Sequence, residues 1–356
     1  MITPETYSKE WILTKAKENN SADPGILELV VYAFSLLEQL CIHKLNFIFK
    51  GGTAMMLLTG KIYRYSTDID IITLESTQKI ESVLDSICRE SMFLSWELDT
   101  KRSYKGGIPK AHYKLKFQSN LVEIEREVLL DILFEANPYP VLIIKEIAPT
   151  ILIQEGIIQQ TRIPVIDCLL GDKLTAFGPK TIGIPYGKKK GREIVKQIYD
   201  IGLLFSMISD IETVINTYRK ISQIEAGYRK ISTFIQKDIV MDVVKTTIML
   251  GLKFRSKIPI EESYLYEEIH SGMVALDSFL VAKQKYRLDK LIVDASKASY
   301  LAAMSLSDKT PIFITYENQD LKEYYFEPKE LSPLNGLAKL PGGSLFYLKN
   351  AYNSIE

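Results

Sequence analysis

Two aspartates, Asp68 and Asp70, stand one residue apart in the stretch "TDIDIIT". Side chains at i and i+2 of a strand share a face. The spacing therefore predicts two carboxylates side by side, with Ile69 and Ile71 turned into the core. Like charges that close repel unless something positive lies between them. A divalent cation suits, because Mg²⁺ (or Mn²⁺) prefers oxygen ligands and is held by one or two carboxylates plus substrate phosphates. Two such ions about 3.5–4 Å apart can clamp the attacking and leaving oxygens of a phosphoryl displacement.

The residues just upstream supply a phosphate grip. "NFIFKGG" reads as a short strand ending in Gly51 and Gly52, and "TAMMLL" as the helix that follows. Glycines let backbone amides approach a polyphosphate, and a helix N-terminus adds a favourable dipole. Thr53 is expected to donate its hydroxyl to the same oxygens. A D-x-D alone also occurs in loops and calcium sites, and a GG turn is commonplace. Specificity comes from the combination: strand, GG-Thr, helix, then a separate apolar strand bearing both aspartates.

The elements that must hold these groups follow from periodicity. Thr3 and Pro4 predict the capped start of a helix over "TPETYSKEWILTKAKE". "DPGILELVVYAFSLLEQLCIH" carries Leu27, Val30, Val31, Phe34 and Leu37 at helical spacing. "KIESVLDSICRE" is helical. "MFLSWELDT", "AHYKLKFQ", "EREVLLDILFE" and "YPVLIIKEI" read as strands. Beyond Val165 the pattern turns helical: "DCLLGDKLTAF" with Asp167 as its cap, then a Gly-, Pro- and Lys-rich loop. Then comes "REIVKQIYDIGLLFSMI", with Ile194, Ile198, Ile201 and Phe205 on one face. "QKDIVMDVVKTTIMLGL", "LDKLIVDASKASYLAAMSL" and a final helix after "KLPGG" complete it. The expectation is an α+β fold with a mixed sheet in three parts: N-terminal helices over 1–45, a nucleotide-handling core over 46–164, and a mostly helical region over 165–356.

"FKGGTAM", Arg64, Ser66 and "TDIDII" together resemble the AbiEii/AbiGii-type toxins, a branch of the DNA polymerase β-like nucleotidyltransferases that also includes the MenT kind. Gly52 followed by Thr53 is similar to that branch, where most others carry Ser. "GDKLTAF" and "GREIVKQIYDIGLLF" place Lys173 and Asp200 at its later motifs. The matches cover about residues 46 to 206.

The resemblance implies a metal-dependent nucleotidyltransferase, the toxin of an abortive-infection type toxin–antitoxin pair used against phage. It would use NTP and be opposed by a cognate antitoxin. It would transfer NMP to an acceptor, foremost the 3′ end of tRNA. Asp68 and Asp70 would hold the metal, and Gly51, Gly52 and Thr53 the triphosphate. Arg64 and Ser66 would contact nucleotide, Lys173 would stabilise phosphate charge, and Asp200 would orient it or serve catalysis. Asp131 in "VLLDILFE" is the candidate third carboxylate, as general base or further ligand; Glu123, Glu125 and Glu135 are its competitors.

Lys180, Lys188, Lys189, Lys190 and Arg192 form one basic run. Lys101, Arg102, Lys105 and Lys110 form a second patch. Either suits RNA backbone, though a charge run is usually a solvated face. The 356 residues are 46% hydrophobic and 25% charged, with zero formal net charge, so no global field draws the chain to nucleic acid or membrane. Cys41, Cys88 and Cys168 are too scattered for a disulfide framework or zinc knuckle. The three histidines suggest no triad or metal cluster. No signal-peptide pattern is evident, and no apolar run is expected to reach the roughly 18–20 residues of a membrane span. The expected setting is the cytoplasm, without a membrane partner. Two other functions fit the same residues: nucleotidyl transfer to a protein or an aminoglycoside-like small molecule, or a non-catalytic nucleotide-binding module.

Overall fold

Ser8, not Thr3, caps the first α-helix. The expected single helix is divided: Pro4–Tyr7 forms a 3-10 turn with no side-chain cap from Thr3. α1 (Lys9–Glu18) begins where the Ser8 hydroxyl accepts the Trp11 amide at 3.2 Å. A short side-chain oxygen satisfies an otherwise orphan helical N–H, and Ser8 does so one turn later than Thr3 would have. The computed structural model describes residues 1–19, 22–231, 233, 235–255, 263–281, 285–309 and 312–356. The side chains of Lys105 and Ser263 stand outside the described set, and with them the Lys105 part of the second basic patch.

α2 (Pro24–Ile42) starts at Asp23, whose side chain accepts the Gly25 amide. By length and composition it could cross a membrane, contrary to the expectation that no segment would. Its surroundings are those of a core helix. Most of it is buried, including Glu28 and Glu38, and protein groups satisfy both carboxylates. Glu28 receives Arg126 Nη1 at 2.7 Å and the Ser119 hydroxyl at 2.8 Å, and Glu38 receives the Ile2 amide at 3.0 Å.

The strands are β1 (Ile48–Lys50), β2 (Ile69–Thr73), β3 (Phe93–Leu98), β4 (Lys110–Gln118), β5 (Glu125–Phe134), β6 (Leu142–Glu146) and β7 (Gln160–Pro164). Five form a mixed sheet in the order β1-β2-β5-β4-β3. β2 and β5 run parallel, and the other neighbours are antiparallel. β6 and β7 make a separate two-stranded ribbon; β7 carried no clear signal in the sequence. α3 (Gly51–Thr59) and α4 (Thr77–Glu90) connect the first three strands.

Period two decides which face is which. Ala111, Tyr113, Leu115 and Phe117 of β4, Val128, Leu130 and Ile132 of β5, and Ile69 and Ile71 of β2 are all at most 1% exposed. They form one core with α2, where Tyr32 stacks on Phe117 at 3.6 Å. The intervening residues, among them Lys110, His112, Lys114 and Lys116, put the polar half of the pattern on the other face.

The chain divides into two compact units. The first holds residues 1–165 and, unforeseen from sequence, the described residues 278–281; the second begins at Ile166. In the second unit are α5 (Ile166–Leu174), α6 (Gly191–Phe205), α7 (Ile211–Tyr228), α8 (Gln236–Phe254), α9 (Ser263–Leu276), α10 (Leu288–Met304) and α11 (Ser344–Asn353). α10 packs on α6, α8 and α11. Its small residues, from Ala295 to Ala303, are buried on every side, which fits a helix at the centre of a bundle. Asp167 does not cap α5. It lies inside the first turn and accepts from the Ser209 amide at 3.0 Å and the Ser209 hydroxyl at 2.6 Å. None of the three cysteines is in a disulfide, and burial pushes the Cys41 thiol up to about 12, so it stays protonated and inert.

Candidate active site

A single register row crosses the first unit's sheet. Lys50 on β1 pairs with Asp70 on β2, Asp70 with Asp131 on β5, and Asp131 with His112 on β4. Paired residues of adjacent strands point to the same face. All four are half-buried, while their chain neighbours Phe49, Ile71, Ile132 and Ala111 are in the core. Of the four carboxylates considered for the third position, Asp131 is the one in register with Asp70. Glu125 opens β5, six residues away, Glu123 lies in the turn before it, and Glu135 follows its end.

The glycine turn is fitted to Asp70. Gly51 has φ +81°, a backbone region that side chains disfavour, and a Cβ there would overlap the Asp70 carboxylate. Asp70 therefore sits against the first turn of α3. A Cβ on Gly52 would come within 2.5 Å of Ser66 Oγ and 2.9 Å of Arg64 Nη2, so Ser66 and Arg64 border the same turn. Both are buried, and Arg64 Nη1 donates to the Tyr65 carbonyl at 3.1 Å.

Replacing Gly51 by Ala is expected to cost about 1–2 kcal/mol through backbone strain alone and to displace Asp70. Urea unfolding should show the stability loss. Nucleotidyl transfer should fall further than the folded fraction does. Full activity in a folded Gly51→Ala protein would mean the close approach of Gly51 to Asp70 is immaterial.

Two expectations about this stretch need correction. β2 begins at Ile69, so Asp68 lies in the extended lead-in and only Asp70 is in the ladder. Thr53 does not offer its hydroxyl to a ligand: it is fully buried and donates to the Asp68 carbonyl at 2.6 Å. A threonine has one hydroxyl proton, and here it ties α3 to the segment carrying the aspartates. The Thr67 hydroxyl lies 3.3 Å from Asp68 Oδ1.

The sequence reading missed three features. His112 Nδ1 donates to Asp131 Oδ1 at 2.6 Å, and Arg102 Nη2 lies 3.4 Å from Asp131 Oδ2. Lys50 brings a cation into the row beside Asp70. The described residues 278–281 clamp the lead-in to Ser66: Tyr65 N–H donates to the Phe279 carbonyl at 2.8 Å, and Val281 N–H to the Tyr63 carbonyl at 3.1 Å. Only the first two had a sequence signal. His112 shares the polar phase of "KAHYKLKFQ", and Lys50 immediately precedes the glycines.

In the second unit, Lys173 Nζ lies 2.6 Å from Asp200 Oδ2, with both side chains buried. Asp167 and this pair come from α5 and α6, elements whose apolar faces are also buried. Lys188, Lys189 and Lys190 are exposed on the loop before α6, and Arg192 lies 3.2 Å from Glu193.

The donors of the first unit fit a hard cation. Among the described residues no three His, Cys, Asp or Glu side chains gather into a cage that could hold a metal alone. Asp70 supplies carboxylate oxygens beside the first turn of α3, Asp68 stands two residues before it in the chain, and phosphate and water oxygens complete such a shell in Mg²⁺ chemistry.

Comparison with known proteins covers the segment of the chain that carries these residues. A family model described as the nucleotidyl transferase AbiEii toxin of type IV toxin–antitoxin systems matches residues 35–256. Among solved structures, a candidate nucleotidyltransferase from H. pylori is similar at 15% identity and a TM-score of 0.43, covering 78% of this chain and 92% of that one. JHP933 from Helicobacter pylori is similar at 16% identity and a TM-score of 0.42, with the same coverage. No curated protein sequence matches the chain. The family model spans more than half of the chain, from α2 to the end of α8, and the chain belongs to the AbiEii nucleotidyltransferase toxins of type IV toxin–antitoxin systems.

Proposed function

We propose that the protein moves a nucleoside monophosphate from an NTP onto an RNA hydroxyl, foremost the 3′ end of tRNA, and arrests growth by doing so. Family membership brings a nucleotide substrate and a cognate antitoxin. The observation that carries the chemistry is the row in which Asp70 lies against Gly51 and in register with Asp131. Support for an RNA acceptor comes from the exposed Lys188–Lys190 run in a chain of zero net charge, where a local basic patch must do what a global field does not. The setting that joins NTP, tRNA and antitoxin is the cytoplasm.

Asp68 and Asp70 would hold Mg²⁺ or Mn²⁺, which when bound supplies charge compensation for the phosphates. The turn at Gly51 and Gly52 presents backbone amides to the triphosphate, and Arg64 and Ser66 border that turn. The acceptor hydroxyl attacks the α-phosphorus, the bond to the β-phosphate oxygen breaks, and pyrophosphate leaves. Asp131 takes the hydroxyl proton. By resemblance to the family's motifs Lys173 is assigned to phosphate charge, with Asp200 orienting it through their 2.6 Å contact.

Incubation with total RNA, Mg²⁺ and each α-labelled NTP tests the reading. Label is expected in tRNA-sized species and is lost after removal of divalent metal with EDTA. Label in protein or a small molecule instead would redirect the acceptor assignment, and no label in any fraction would overturn nucleotidyl transfer.

A further inference from the structure

We infer that His112 is a positioning residue for nucleotidyl transfer, holding Asp131 at the orientation the acceptor hydroxyl requires. The inference rests on the proposed role of Asp131 and extends it to a residue outside the glycine, aspartate and lysine motifs.

Asp131 sits between two neighbours in its row. On one side is Asp70, a like charge on the adjacent parallel strand. On the other is His112, on the adjacent antiparallel strand. Strands lie about 4.8 Å apart, so an Asp131 carboxylate with no cationic or hydrogen-bonding partner would be repelled by Asp70. The partners on its far side answer that repulsion. His112 Nδ1 donates to Oδ1 at 2.6 Å, and Arg102 Nη2 approaches Oδ2 at 3.4 Å. Both carboxylate oxygens are engaged, which fixes the plane of the group and the direction of its remaining lone pairs.

His112 is itself fixed. Its backbone N–H donates to Ser103 Oγ at 3.0 Å, and that hydroxyl donates to the Asp99 carbonyl at 2.8 Å. The Asp99 N–H in turn donates to the His112 carbonyl at 2.8 Å. The turn over 99–103 thus holds the histidine from both ends of its peptide and also carries Arg102. The His112 side chain is 16% exposed and that of Asp131 24%, so the contact is partly shielded from water while Asp131 keeps an open side. An imidazole suits the position better than a lysine, because a planar ring on two rotatable bonds sets direction at small entropic cost, whereas a lysine supplies only a flexible point charge.

The test separates direction from bulk. Asn places an amide N–H where the imidazole Nδ1 sits; Gln places one where Nε2 sits. His112→Ala is expected to lower kcat about tenfold to a hundredfold, the usual cost of losing a partner that orients a reacting carboxylate or ligand. The KM for NTP should stay within about twofold, because Asp131 acts on the acceptor side. His112→Asn should recover most of the rate and His112→Gln should not. Arg102→Met, a change at an exposed side chain, should lower kcat by a smaller factor and supplies a second readout if His112→Ala folds poorly.

Equal loss in the Asn and Gln variants, or a loss confined to KM, would overturn the positioning role. If Asp131→Asn abolishes transfer while His112→Ala and Arg102→Met leave kcat unchanged, the inference fails and the role of Asp131 stands. If Asp131→Asn leaves transfer intact, the underlying reading of Asp131 fails first.

Discussion

Asp70→Asn is expected to abolish both nucleotidyl transfer and growth arrest while leaving the protein folded. The substitution keeps shape and removes one negative charge. Asp70 is half-buried at the strand surface, between Lys50 and Asp131 in the row, and its carboxylate fills the space over Gly51. An amide occupies that space equally well. It offers only one acceptor oxygen and no charge, so it cannot replace a carboxylate toward a hard cation. Loss of such a group from a phosphoryl-transfer site costs on the order of a thousandfold in rate or more. Two measurements decide the matter. Circular dichroism and urea unfolding should place the variant within about 1 kcal/mol of the parent, and expression without antitoxin should no longer arrest growth. Undiminished arrest by Asp70→Asn would rule out catalysis as the source of toxicity and return the non-catalytic binding module to consideration.

What the sequence made legible was periodicity and what followed directly from it. The core face of β4 was written in the alternation of "KAHYKLKFQ", and the amphipathic face of α6 in Ile194, Ile198, Ile201 and Phe205. The α+β class with a mixed sheet and a helical second half followed from the same patterns. Competition between neighbours was less legible. Thr3 and Ser8 are both good caps, and only packing decides between them. Pro24–Ile42 is long and apolar enough to cross a membrane, and what makes it a core helix, the partners Arg126, Ser119 and Ile2 of Glu28 and Glu38, lies far away in the chain. Register was least legible of all. That Asp131, rather than Glu125, lies beside Asp70 depends on a parallel pairing over about 60 residues of intervening chain. The same is true of His112, whose partner is set by the β4–β5 register.

Breaking the Lys173–Asp200 contact should have the largest effect on stability. Lys173 is 8% exposed and Asp200 0%, and their charged atoms are 2.6 Å apart. Asp200 lies in a part of the bundle already rich in acid. Tyr286 donates its hydroxyl to Asp294 at 2.8 Å, and Lys290 reaches the same carboxylate at 2.8 Å. Burial, with help from Asp294 and Asp200, pushes the Tyr286 hydroxyl well above its ordinary pKa. Lys173→Met keeps the aliphatic stem and removes the ammonium, breaking this buried ion pair; removing one member of a buried pair costs about 3–5 kcal/mol. The double variant Lys173→Met with Asp200→Leu removes both charges. It should recover a large part of that loss, because a pair replaced by apolar groups of similar size is often close to neutral. Urea midpoints at constant m-value give both numbers. Activity separates structure from function: the double variant, though refolded, should remain inactive if Lys173 handles phosphate charge. A double variant that regains both stability and transfer would make the pair a structural ion pair only. A Lys173→Met cost under about 1 kcal/mol would instead show that the ammonium does not compensate a buried charge, since exposed pairs contribute no more than that.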